Sequence, residues 1–246
     1  MRRLNTYILF LGALSLALSF GSCNKCAKKI GGVTEKNIQL GQFHSINIDG
    51  AFVVQIKQDS SFTLRLKGGE GILENVRHEI VSDTLRVFNE NTCNFLSDYS
   101  KNIVLEIGCG SLQKIALRNP KEVKDCKGLS SDQLLLEIRN CGVNATFEGD
   151  FKKLMLQTFT GTPTINLKGN ADEFVVDENT FGHIYAFDLI TSKTWVKTQG
   201  TGYIHVNATD ELHALHTGSG IIRYRGNPKK VVTEIAPHSS AQIIAD

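Results

Sequence analysis

The 246-residue chain predicts an all-β fold, wound as a solenoid of coils about 20 residues long behind a cleaved leader. Three observations carry this reading. Short apolar–polar alternations recur from residue 43 onward, the period of a half-buried strand. Glycines return at near-constant spacing through the second half of the chain. Four prolines and 22 glycines suit a turn-rich β chain, and helical periodicity is scarce beyond residue 24.

The leader comes first. Arg2 and Arg3 precede an apolar run from Ile8 to Phe20, followed by Gly21, Ser22 and Cys23. A basic start, a short apolar stretch and small residues at its end form a secretory signal. The run is 13 residues long, short of the ~20 that a spanning helix needs. The cysteine after Ser22 resembles a bacterial lipobox, with Phe20 where leucine is usual. Cleavage between Ser22 and Cys23 would make Cys23 the lipid-bearing first residue, and ~0.8 kcal/mol per buried CH₂ would anchor it to a membrane. The domains expected are a signal peptide over 1–22, a lipidated tether over 23–40 with Gly31-Gly32 as its joint, and a β-solenoid head over 41–246. Lys25, Lys28 and Lys29 sit where a tether meets anionic headgroups. Removing Arg2 and Arg3 lowers Lys+Arg from 27 to 25, equal to Asp+Glu. A neutral domain has no electrostatic footprint for nucleic acid.

Phe43–Ile48 alternates, Asp49-Gly50 reads as a turn, and Phe52–Lys57 follows, so the pair predicts a hairpin. Phe62–Leu66, Thr84–Phe88 and Ile103–Ile107 read as further strands, and Ile72–Ile80 as either a helix or a strand. The repeat then begins. Gly142, Gly161, Gly182, Gly202 and Gly220 are spaced by 19, 21, 20 and 18 residues; Gly149, Gly169, Asp188, Asn207 and Gly226 follow at 20, 19, 19 and 19. Strand-like segments lie between them. Glycine suits corners of positive φ, and Asp and Asn tolerate the same conformation. Coils stacked at ~4.8 Å give a rod about 30 Å long for six or seven coils, with a core that only stacking makes continuous. The competing arrangement is a β-sandwich of meandering strands; the regular spacing favours the solenoid.

Phe43–Gln58, the Leu64/Leu66 and Leu85/Val87 strands and the closing run Leu212–Pro228, with its Gly218-Ser219-Gly220, resemble the auto-transporter adhesin head (GIN) domain family over roughly residues 40–244. The resemblance implies a right-handed parallel β-helix-like fold on an exported protein, of a kind common among Bacteroidetes outer-membrane lipoproteins, and implies no catalytic residues. Surface export in that group goes with acidic residues soon after the lipidated cysteine. Asn24–Lys29 has none, which favours the periplasmic face. Asp83-Thr84-Leu85 resembles the O-glycosylation signal of such exported proteins.

The remaining motifs narrow the chemistry. Gly218-Ser219-Gly220 is not a nucleophile elbow, and Lys67–Gly71 lacks the Lys-Ser/Thr of a phosphate loop. His183, His205, His213 and His216 lie in neighbouring coils, but His213 and His216 are three apart and face opposite sides of a strand. Asp172-Glu173 and Asp210-Glu211 occupy similar corners two coils apart and Asp177-Glu178 lies between, without the Gly-Gly-x-Gly-x-Asp pattern of calcium β-rolls. No metal or cofactor is expected. Cys26, Cys93, Cys109, Cys126 and Cys141 remain beside Cys23; none has metal-site spacing, and zero to two disulfides are expected, with connectivity open. Phe159, Phe181, Tyr185, Phe187, Tyr203 and Tyr224 flank the glycines, and Trp195 is the one tryptophan. Core stacking is the plain reading. The sharper one is an outward ladder for a glycan or protein ligand, with Phe181, Tyr203 and Tyr224 as its face. The function expected is a non-catalytic binding or adhesion head on a lipid-anchored envelope protein. A periplasmic structural or stress-related lipoprotein and a carbohydrate-active β-helix enzyme are the alternatives.

Overall fold

A computed structural model describes residues 31–90 and 102–246. The leader, Ser22, Cys23, Cys26 and Cys93 lie outside the described residues. The fold is a β-solenoid of about seven turns.

One sheet runs β1 (Val33–Gln39), β4 (Thr63–Gly69), β7 (Ile103–Cys109), β3 (Phe52–Gln58) and β9 (Glu122–Val123). The second runs β17 (Gln242–Ala245), β15 (Ile221–Arg225), β14 (Tyr203–His216), β13 (His183–Thr198), β12 (Thr164–Glu178), β11 (Asn144–Thr158), β10 (Cys126–Arg139), β8 (Lys114–Arg118), β2 (Ser45–Asp49), β6 (Thr84–Asn89) and β5 (Val76–Val81), with β16 (Lys230–Ile235) beside β14. Pairing is parallel from β2 to β17, as stacked coils require. At the other end, β1, β4 and β7 pair antiparallel, as do β5 and β6.

Each of β11–β14 supplies two ladders and turns a corner between them. Along β11, the buried positions pass from Ala145, Phe147 and Phe151 to Leu154, Leu156 and Thr158, so the inward parity switches from odd to even. Along β14, Tyr203–Asn207 pairs β15, and Glu211–His216 pairs β16. The inward side chains of every coil merge into one apolar cluster from Phe43 to Ile222.

Two expectations need correction, and one ambiguity resolves. The hairpin at Asp49-Gly50 is not formed: β2 and β3 lie in different sheets, and Gly50 (φ +140°) turns the chain around a solenoid corner. Both segments bury their apolar faces in the same interior, so a corner rather than a flat hairpin satisfies them. Part of the expected tether is strand: β1 pairs the whole of β4, and Arg65 binds Glu35 at 2.7 Å across that pair. The Ile72–Ile80 ambiguity resolves into a one-turn helix α1 (Glu70–Leu73) and then β5, which hairpins to β6 through Ser82 and Asp83, both at positive φ.

The glycine rule also changes. Gly161, Gly169 and Gly226 take φ near +109°, +108° and +96°, as corners were expected to do, but Gly142, Gly149, Gly182, Gly202 and Gly220 do not, and neither do Asp188 and Asn207. Most of these glycines are there for space. A Cβ on Gly202 would lie 1.6 Å from the Gly182 oxygen, and one on Gly149 2.1 Å from the Leu129 oxygen. Each marker glycine except Gly142, whose Cβ would meet only the Thr162 Oγ1 at 3.3 Å, is pressed against backbone of the coil before it. At the Asp188 corner the β13–β14 register jumps from Ala186↔Val206 to Ile190↔Asn207, leaving a bulge that Asn207 caps by donating to the Phe187 oxygen at 3.0 Å.

Candidate functional site

Inward positions decide what points outward. Ile184 and Ala186 of β13 and Ile204 and Val206 of β14 are buried. Their alternates His183, Tyr185, Phe187, Tyr203 and His205 therefore stand on the outer face. Parallel register places Tyr185 beside His205. The rings pack along the rod: His183 stacks on Tyr203 at 5.3 Å, Phe187 stacks on His205 at 4.4 Å, and Tyr185 meets His205 edge-on at 5.1 Å. The Tyr203 N–H donates to His183 Nδ1 at 3.0 Å, so that imidazole carries its proton on Nε2. Burial, and then the Arg223 charge, hold the His205 imidazolium below its ordinary range. The Arg225 guanidinium covers the Phe187 ring at 4.0 Å. Arg223 and Arg225 both bind the Asp246 carboxylate, at 3.3 and 2.5 Å.

The residues named as a ligand face do not share one face. Tyr203 is outward and 44% exposed, within the ring ladder. Phe181 is 68% exposed on the loop before β13. Tyr224 occupies an inward position and packs against the core, because Ile222 two residues earlier sets the parity of β15. Phe159 lies under the Arg139 guanidinium at 3.5 Å. Trp195 stacks on His213 at 5.8 Å on the other ladder.

A second feature is an open groove of about 1370 Å³ along the solenoid corner. Ser130, Asp150, Asn170 and Ile190 line one wall in register, and Leu135 and Met155 line the other. Its polar groups are largely tied to one another: Asn170 donates to Asp150 at 2.8 Å, Lys152 pairs Asp132 at 2.8 Å, and Ser130 exchanges two bonds with Gln58.

The third feature is inside. The last inward position of successive coils reads Ile138, Thr158, Glu178, Thr198 and His216, each in register with the next, and the exposed Ile235 pairs with His216 at the end of the ladder. The Glu178 carboxylate accepts from Thr180 N–H at 2.7 Å, from the Thr180 hydroxyl at 2.5 Å and from the Thr198 hydroxyl at 2.6 Å. His216 Nδ1 accepts from Gly218 N–H at 3.2 Å. Thr158 Oγ1 is buried with no partner. Sequence reasoning placed Asp177-Glu178 between two corner acid pairs and did not put Glu178 inside. Its alignment with Ile138 at the same point of the repeat was the signal that it lies inside.

The four histidines do not converge: His216 is interior, His213 binds Glu211 at 2.6 Å, and only His183 and His205 share the ring face. Of the corner acids, Glu173 pairs Lys153 at 2.9 Å and Asp210 pairs Lys229 at 2.6 Å. No cluster of three metal-ligating side chains occurs among the described residues. Cys109, Cys126 and Cys141 are buried free thiols; burial pushes Cys109 up to about 12 and Cys126 up to about 11. The Thr84 hydroxyl donates to the Ser82 oxygen at 3.3 Å at the start of β6.

The described residues thus form a lengthwise parallel solenoid with ordered rings on its outside. The chain belongs to the family described as "Putative auto-transporter adhesin, head GIN domain", which matches residues 42–228. Among solved structures it is similar to a "putative adhesin" from Bacteroides fragilis (22% identity, TM-score 0.75, covering 90% of this chain and 99% of that one). It is also similar to one from Parabacteroides merdae (22%, 0.65, 87% and 97%). A "putative lipid binding protein" from Parabacteroides distasonis is a third (17%, 0.58, 87% and 97%). At these identities the likeness is one of fold. No curated protein sequence matches the chain.

Proposed function

We propose that this is a lipid-anchored cell-envelope protein whose solenoid head binds a glycan, without catalysis, through the outer ring face of β13 and β14. The observation that carries the reading is the stack of His183 on Tyr203 and Phe187 on His205, held outward by the buried alternates of the same strands. Rings stacked at coil spacing present a continuous row of apolar edges with imidazole and phenol polar atoms among them, which suits sugar rings. The acids and histidines that hydrolysis or elimination would need are spread over separate faces and mostly tied to neighbours. The leader and Cys23 support the anchor, and the absence of acids over Asn24–Lys29 supports the periplasmic face.

Binding is tested by titrating an oligosaccharide panel into the purified protein and its Tyr203→Ala and His205→Ala variants. Loss of affinity at unchanged melting temperature is expected; equal affinity would reject the face. The anchor is tested by fractionating cells expressing Cys23→Ala, which should release the protein from membranes. An epitope tag that labels intact cells would reject the periplasmic assignment.

A further inference from the structure

We infer that the ligand of this face is an acidic glycan: the sugar lies on the stacked rings, and its carboxylate takes Arg223 and Arg225 in place of Asp246. The inference rests on the glycan-binding reading above.

Charge pairing elsewhere on the rod is one to one in Lys152–Asp132, Lys153–Glu173 and Lys168–Asp188, while Glu137 takes Lys114 and Arg139 together. At the edge of the ring face both cations are arginines. Two guanidiniums converge on one carboxylate, with Arg225 binding Asp246 Oδ2 at 2.5 Å and Arg223 binding Oδ1 at 3.3 Å. The two arginines are alternate residues of β15, so both side chains leave the same outer surface. Arg223 stands beside His205 in register, and Arg225 lies over Phe187. The cationic pair is thus continuous with the rings. The other charges near Phe187, Lys168 and Asp188, pair with each other at 3.8 Å.

A carboxylate shared by two guanidiniums is the arrangement that recognises a carboxylate ligand, because planar forks match its geometry. Asp246 already occupies that place as an internal stand-in. It follows β17 rather than lying within it, and its own backbone tie is one bond, from its N–H to the Tyr224 oxygen at 2.9 Å. The arginines hold its carboxyl below the ordinary range, as they would an incoming acid. A uronic or sialic acid has the two required parts in one residue: an apolar face for the exposed Tyr203, and a carboxylate at its edge.

The test is calorimetric titration of the full-length protein with uronic- and sialic-acid oligosaccharides and with the methyl esters of the same sugars. Binding to an acidic member is expected to weaken about tenfold on esterification and in Arg223→Gln/Arg225→Gln, the worth of one charge-assisted hydrogen bond. It is expected to tighten in Asp246→Asn, which frees the pair and lies outside the strand, so folding is unaffected. Equal binding of acid and ester, with both lost in Tyr203→Ala, would overturn the acidic ligand and leave the glycan face standing. No binding of any member would overturn both.

Discussion

Gly202→Ala tests whether the repeat's glycines are there for coil contact rather than for φ. Gly202 does not have positive φ, so alanine is conformationally acceptable there. Its Cβ, however, would lie 1.6 Å from the Gly182 oxygen. To reach even 3.0 Å the two coils must part by about 1.4 Å. Two bonds between those coils would fail, Thr201 N–H to the Thr180 oxygen at 3.3 Å and Tyr203 N–H to His183 Nδ1 at 3.0 Å. At about 1 kcal/mol each, with about 1–3 kcal/mol for overpacking, the cost is about 3–5 kcal/mol. For a domain of this size that is a fall in Tm of roughly 6–20 °C. Gly142 occupies the same marker position, yet its nearest neighbour to a Cβ is the movable Thr162 Oγ1 at 3.3 Å. Gly142→Ala should cost under about 1 kcal/mol, partly offset by the lower entropy of the unfolded alanine chain. Calorimetric or circular-dichroism melts of the two variants decide the matter. A Gly202→Ala protein melting with the wild type, or a Gly142→Ala protein falling as far, would refute the stacking argument.

Thr158→Val replaces a buried hydroxyl that has no partner with a methyl of the same shape, so Tm should rise, by up to about 1 kcal/mol of stability; a fall would mean the hydroxyl is satisfied. Burial holds His216 below its ordinary 6.5. The unfolded chain therefore takes up the proton first, so stability is full above that value and is lost as pH falls below it. His205 adds to this with the same sign. His216→Thr should flatten the Tm–pH slope between pH 7 and 5. Cys109 and Cys126, with thiols pushed up by burial, should resist a thiol reagent at pH 8 in the native protein and react on unfolding; rapid native labelling would contradict their burial.

The solenoid was legible because its period is written twice, once in the glycines and once in the apolar alternation, and stacking forces both. The first third was harder to read. There the coils are interrupted by antiparallel pairs that close the end of the rod, and Asp49-Gly50 carries the chemistry of a hairpin turn while serving a corner. Local turn chemistry does not say which sheet the next strand joins. The same limit explains Tyr224. Residue type and distance from a glycine suggested an outward ring, but the parity of a strand is set by Ile222, a core residue, and only the register of stacked coils shows it. His183 and His205 entered the sequence reading as metal candidates rather than as partners of the rings. Their stacking depends on which residues face each other one coil apart, and the bulge at Phe187–Leu189 shifts that by residues no spacing rule contains.

The buried polar column bears on the ring face from within. Slipping one coil by a single residue would send His183 and Tyr185 inward and Ile184 outward. Apolar side chains alone tolerate neighbouring registers more readily than directional bonds do. Glu178 of β12 binds the Thr198 hydroxyl of β13, and Thr198 Oγ1 in turn accepts from Gly200 N–H at 2.9 Å in the loop leading to Tyr203. Thr180 likewise accepts from Gly182 N–H at 3.0 Å in the loop leading to His183. The column thus ties down both loops that deliver the stacked rings. Glu178→Ala would leave three donors without their acceptor, at a cost of about 2–4 kcal/mol. Because coils of a solenoid respond mainly to their neighbours, the loss should be local. Hydrogen exchange should quicken at Thr180, Gly182 and Gly200 while β7 and β8 stay protected. Unchanged protection at those three amides would refute the link between the interior carboxylate and the outer face.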